Sequence, residues 1–254
     1  MGVSMREAPL MEHLEELRNR LIWAIVSWAV MTAVAFTFRV QILEALRRPL
    51  DAYNTTASLK AELIVLNITE PFLTAFKVAA FGGLALALPF IVYQIWAFIA
   101  PGLYPHERRL AIPFILGAGF SFALGAVFAY FVLLPFAVPF LLGFLGDVVT
   151  PQISIGMYMG QVVTFLALMG ILFEMPVVSY LLAKLGMLSS RFLINNWRIA
   201  VVLLITLAAL ITPTVDVVNL SLVSIPLMVL YGISILLVKW AERGRPKEAE
   251  ATPV

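Results

Sequence analysis

Phe98-Ile-Ala-Pro-Gly-Leu-Tyr-Pro-His-Glu-Arg-Arg109 is a polar break between two long apolar runs, residues 72–99 and 110–142. Pro101, Gly102 and Pro105 keep a helix from passing through it, because proline has no backbone N–H and glycine pays the largest backbone entropy. The stretch is therefore a connection. Each flanking run exceeds the roughly 20 apolar residues that cross a hydrocarbon core of about 30 Å, so the connection joins two membrane spans. Glu107, Arg108 and Arg109 gather charge at the point where the chain re-enters apolar sequence.

Composition extends this reading to the whole chain. Of 254 residues, 62% are hydrophobic and 13% are charged, against about 25% charged in ordinary soluble domains. In lipid every backbone polar group needs an internal partner, which leaves helices or a closed barrel. The runs are too long and too continuously apolar for barrel strands, whose side chains alternate in polarity. The expected class is an all-α, polytopic bundle. A formal net charge of +2 without a dense basic patch gives no reason to expect a nucleic-acid partner. The absence of cysteine removes disulfides and thiolate chemistry from consideration.

One membrane domain, residues 1–240, is expected, followed by a polar tail at 241–254. Leu10, Leu14, Leu17 and Leu21 recur at helical spacing and make residues 5–20 an amphipathic helix, lying along the interface before it bends into the bilayer. Six spans follow at about 21–38, 72–99, 110–142, 158–183, 199–212 and 217–238. Between the first two, residues 40–71 read as a polar connection with an interfacial stripe of Leu43, Leu46 and Leu50. Pro113, Pro135 and Pro139 mark bends in the third span, and the fifth is short before Pro213. Of the 17 Lys and Arg residues, only Arg39, Arg47, Arg48, Lys60 and Lys77 fall on one side of these spans. The excess on the other side puts both termini and the 98–109 loop in the cytoplasm.

Two places carry candidate chemistry. Glu16 and Glu107 both fall on the cytoplasmic side, and a carboxylate accepts a guanidinium through two parallel charge-assisted hydrogen bonds. Together they suit a ligand with two guanidinium groups. Separately, each has an ordinary use: Glu107 in a self-neutralising cluster with Arg108 and Arg109, and Glu16 in a pair with Arg20 four residues on. Glu174 is the other candidate, since an ionisable residue within a span usually faces a bundle interior or a wet cavity. Val163, Ala167 and Gly170 share its helix face and leave room, and Pro176 bends the helix beside it. Asp216, after Thr212 and Pro213, shapes the turn into the last span. His13 and His106 lack metal-ligand spacing, and the chain has no Gly-x-Ser-x-Gly and no phosphate-binding glycine loop. No enzyme, cofactor or metal is expected. On residues alone, a proton-coupled small-molecule transporter using Glu174 remains an alternative.

Four motifs in register point further: His13-Leu-Glu-Glu-Leu-Arg18, the Phe98–Arg109 loop, Phe173-Glu-Met-Pro176 and Thr212-Pro-Thr-Val-Asp216. In order and spacing this set resembles the TatC family, the multispanning core of the twin-arginine protein translocase, over nearly the whole chain. The resemblance implies a concave, glove-like bundle in the cell (inner) membrane that binds the twin-arginine signal peptides of folded cargo proteins. It also implies assembly with TatA- and TatB-type single-span proteins, as a homo-oligomer within a larger complex, and export driven by the proton gradient. By position, Glu16 and Glu107 correspond to the signal-recognising carboxylates, with Phe98 and Arg18 beside them, and Glu174 to the intramembrane glutamate. Pro101, Pro176 and Asp216 match loop and turn positions that the family uses. Two positions depart from the family pattern: Gly232 follows Leu230-Tyr231 where many relatives have Glu, and Leu220 stands where many have Gln.

Overall fold

The computed structural model describes residues 10–57, 59–102, 108–143, 150–212 and 216–243. The first helix, α1 (Leu10–Thr37), joins the amphipathic segment and the first span into one uninterrupted rod. The expected bend near residue 20 is absent because the amino-terminal half packs on another helix instead of lying flat. That helix is α3 (Glu70–Ile99), which starts with Pro71 in its first turn, where the missing N–H has no helical partner to lose. The two run antiparallel, and small residues set how closely they approach. A Cβ added at Gly83 would come within 2.5 Å of the Thr32 backbone, and one at Gly82 would lie 3.3 Å from Ala35. Lipid tails are as apolar as leucine, so this close backbone packing, and not hydrophobic burial, holds spans together.

Between them lies α2 (Arg39–Thr56), a helix where the sequence suggested only a connection. Its Leu46 and Leu50 are buried in the main core. Pro49 sits inside it and cannot donate to the carbonyl of Ala45. The Tyr130 hydroxyl donates to that carbonyl instead, at 2.6 Å. A proline that argues against a helix in sequence is thus accommodated by a donor from a distant span.

The third span is α4 (Ala111–Phe128) and α5 (Leu134–Gly143), joined by one wide turn at Ala129–Leu133. The wide turn sits just ahead of Pro135, whose ring would otherwise crowd the preceding turn. Pro113 lies in the first turn of α4 and bends nothing. The fourth span divides at Glu174 into α6 (Ile155–Phe173) and α7 (Met175–Lys184). A short α8 (Ser190–Asn195) leads to α9 (Trp197–Ile211) and α10 (Val217–Arg243). Among the described residues five helices are long and apolar enough to cross a membrane, and α9 is a sixth, shorter apolar one. The last helix continues past 238 into the expected tail because Val238 and Ala241 are buried there, and the Glu242 carboxylate caps α8 by accepting from Ser190 N and Oγ.

Sequence patterning missed one tie between loops. Strands β1 (Glu62–Ile64) and β2 (Gln152–Ser154) pair in parallel, Leu63 opposite Ile153. Glu70 fastens the same end of the bundle. Its carboxylate accepts from Ser154 Oγ, from Gly156 N at 2.9 Å, from Leu66 N at 2.7 Å and from Asn67 N at 3.3 Å.

Candidate functional site

The antiparallel packing of α1 on α3 places the amino-terminal turns of one beside the carboxyl-terminal turns of the other. His13 and Phe98 stack with ring centroids 4.4 Å apart and planes 16° from parallel. Two turns along α1, Arg20 Nη1 donates to Gln94 Oε1 at 3.4 Å, and Gln94 is buried. Gln94 and Phe98 are four residues apart, as neighbours on one face of α3 must be. Glu16 lies between His13 and Arg20 on the matching face of α1, and its Oε1 accepts from Arg20 Nη2 at 3.4 Å. Its side chain is 29% exposed, so the carboxylate is held by the helix pair while one side stays open to solvent.

The other members of this neighbourhood fall as follows. Arg18 is exposed and, two residues from Glu16, points to another side of α1. Pro101 is exposed in the tight turn Ala100–Gly102 that ends α3. Glu107 and His106 lie outside the described residues, which resume at Arg108. The structure thus brings Glu16 and Phe98 together. It also adds His13, Arg20 and Gln94, which sequence reading did not assign to a site. For Arg20 the advance signal was its expected pair with Glu16, which the structure shows; for His13 and Gln94 it was spacing alone, 13 and 16 on one helix face, 94 and 98 on another.

Glu174 belongs to a different neighbourhood. It stands at the α6–α7 break, where its N–H reaches back to Ile171 O at 3.1 Å, short of the carbonyl four residues earlier. Pro176 has no N–H to offer the Leu172 carbonyl, and Ser121 Oγ donates to the adjacent Phe173 carbonyl, so α4 supports the interrupted turn. The Glu174 carboxyl lies against the Phe122 backbone. Its Oε1 is buried with no hydrogen-bond partner among the described residues. The room expected above Gly170 is taken by the Phe122 ring, which a Cβ at Gly170 would meet at 2.5 Å. Small residues on that face serve close packing of α4, and a Cβ at Gly125 would likewise meet Met169 O at 2.5 Å.

Asp216 caps α10: Oδ1 accepts from Asn219 N at 2.8 Å and Oδ2 from Asn219 Nδ2 at 2.9 Å. Lys77 lines an open groove of about 460 Å³ between α3 and α6 with Thr74, Gly160 and Gln161. Among the described residues no cluster of three metal-ligating side chains occurs.

Comparisons with known proteins agree on one family. The family described as "Sec-independent protein translocase protein (TatC)" matches residues 12–226. A relative of that name from Deinococcus radiodurans is 46% identical over 246 residues, covering 97% of this chain and 91% of the relative. Another from Aquifex aeolicus is 41% identical, covering 96% of this chain and 100% of its own. Among solved structures, one described as "Crystal Structure of Twin Arginine Translocase Receptor- TatC" superposes with a TM-score of 0.79 at 41% identity, over 90% of this chain and 99% of that one.

Proposed function

Because the chain belongs to the TatC family and is a membrane component of the twin-arginine translocase, we propose that it is the receptor for twin-arginine signal peptides, with Glu16 and Glu107 as the carboxylates that take the two arginines. The observation that carries the reading is the packing of α1 on α3. It brings Glu16 alongside Phe98 at the end of α3 from which the chain leads into 103–107. Phe98 and His13 offer an apolar and aromatic floor for the residues flanking the arginines, and Arg18 lies at the rim. The surface faces the cytoplasm with both termini, and the protein resides in the inner membrane. TatA- and TatB-type single-span proteins complete the working complex, which the proton gradient drives. The family gives the small-molecule transporter alternative no support.

A peptide-binding measurement on the purified protein in nanodiscs tests the reading. A hydrogen bond to a charged group contributes about 1.5–3 kcal/mol, equivalent to roughly tenfold or more in affinity. Glu16→Ala and Glu107→Ala should each weaken a twin-arginine peptide by at least that factor. Replacing Arg-Arg with Lys-Lys in the peptide should do the same, since an ammonium lacks the planar fork. Equal binding of both peptides to the unaltered protein would end the proposal.

A further inference from the structure

Lys77 lies two turns into α3, whose first residue is Glu70, so it stands about 10 Å from the start of that helix. A helix of 30 residues is about 45 Å long. Centred on a hydrocarbon core of about 30 Å, it extends about 7 Å past each boundary. Lys77 therefore sits close to the boundary, at the end of the bundle away from the start of α1. Its ammonium turns toward α6, where a Cβ added at Gly160 would lie 3.9 Å from Nζ and meet nothing else within 4 Å. The ion pairs among the described residues are Glu16–Arg20 and Arg47–Asp51, which leaves Lys77 without an acidic partner there. Glu70, on the same helix, has its carboxylate committed to Ser154, Gly156, Leu66 and Asn67. A charged residue within a span normally pairs, and this one has open space for a partner from outside the chain.

Two grooves between α3 and α6 meet at Lys77 and Gly160. The one of about 460 Å³ runs toward the helix starts and is polar, with Asn67, Thr74 and Gln161 in its wall. The other, of about 390 Å³, runs toward the bilayer centre and is apolar, lined by Trp28, Phe81, Leu84, Val163 and Ala167. Its polar atoms are turned into backbone: Thr164 Oγ1 donates to Gly160 O and Trp28 Nε1 to Ala80 O, both at 2.8 Å. Beside the polar groove, Val65, Leu66 and Ile68 are exposed ahead of α3, an apolar rim suited to lipid. We propose that these grooves hold one phospholipid of the leaflet at this end, its phosphate on Lys77 and one acyl chain in the apolar groove. Polar wall, ammonium and apolar wall follow one another in the order of headgroup, phosphate and chain. A phosphate diester keeps its negative charge at physiological pH and meets an ammonium as a point charge. Burial of the chain against both helices adds an apolar contribution. The absence of a side chain at Gly160 leaves the space beside Nζ that the phosphate needs.

The test titrates the full-length protein, in detergent and stripped of lipid, with a phospholipid carrying brominated acyl chains and with the matching diacylglycerol, which lacks the phosphate. Bromine quenches tryptophan at short range, and Trp28 lines the apolar groove. The phospholipid should quench saturably and raise the thermal midpoint, as a ligand of the folded state does. The saturable quenching should vanish in Trp28→Phe. Lys77→Gln should weaken the phospholipid about tenfold or more, the size expected for a lost hydrogen bond to a charged group. Lys77→Arg keeps the cation and should stay within about threefold of the unaltered protein. Gly160→Leu keeps Lys77 but fills the space beside it, and should weaken binding as Lys77→Gln does. If Lys77→Gln fails to fold, Gly160→Leu and the phosphate-free lipid decide. Equal affinity for the diacylglycerol would reduce the site to an apolar fit and overturn the proposal. So would undiminished binding in the variants, or quenching that persists in Trp28→Phe. Loss of a protein subunit from membrane-extracted Lys77→Gln, with lipid binding unchanged, would assign the groove to a partner helix and overturn it too.

Discussion

At the level of single residues, the chain keeps one polar feature that stability does not explain. Glu174 Oε1 is buried without a partner among the described residues, and such an atom carries a desolvation penalty of about 1–3 kcal/mol. Glu174→Leu should therefore hold or raise the thermal midpoint of the purified protein, even as export of a twin-arginine substrate falls in cells. A drop in both would make Glu174 a structural strut at the α6–α7 break. Gly83 makes the opposite case. Its missing side chain is what lets Thr32 of α1 approach α3, so Gly83→Ala should cost about 1–3 kcal/mol by overpacking and should weaken peptide binding by shifting His13 and Glu16 away from Phe98. Gly232→Ala, where an added Cβ meets nothing within 4 Å, is the control and should leave both measurements near the unaltered values. The contrast between the two glycines could not be read from sequence. All three residues sit in apolar runs, and only the crossing of helices far apart in the chain tells a glycine under a neighbour's backbone from one facing open space.

Among the elements, the spans were legible and the ties between them were not. Runs of about 20 apolar residues are a strong, local signal, and the break at Phe98–Arg109 was clear from its prolines. The helix α2 was hidden because Pro49 argues against it, and its freed carbonyl is satisfied by Tyr130 from far along the chain. The β1–β2 pair was hidden because three-residue strands have no readable alternation. Glu70 stands in the first turn of α3, and its carboxylate gathers donors from Leu66, Asn67, Ser154 and Gly156. Glu70→Ala strands those donors and should lower the thermal midpoint in detergent, with Glu70→Gln intermediate because one amide oxygen still accepts. An unchanged midpoint in Glu70→Ala would mean that the strand pair holds this end of the bundle without it. Of the candidate site, the sequence marked Glu16 and Phe98 separately, whereas their common neighbourhood depends on the α1–α3 crossing.

For the molecule as a whole, the six spans differ in length, and the shortest governs how the bundle sits in lipid. With 15 residues, α9 spans about 22 Å, well below a hydrocarbon core of about 30 Å. Local thinning of the bilayer at α9 would relieve the mismatch. Reconstituted protein should accordingly be most heat-stable in short-chain lipids and lose stability as acyl length grows, a trend that lengthening α9 by one apolar turn should flatten. Independence from chain length would show that α9 tolerates burial of its ends. The central claim is that the amino-terminal turns of α1 and the loop after α3 form one recognition surface, and site-directed photocrosslinking tests it most directly. Probes at Leu14 and Leu17 on α1, at Ala97 and Arg108 beside the loop, and at Val65 near the opposite end of the bundle are offered a labelled twin-arginine peptide. Labelling is expected from both the α1 and the loop positions, suppressed by unlabelled Arg-Arg peptide, and none from Val65. Labelling confined to either region alone would contradict it.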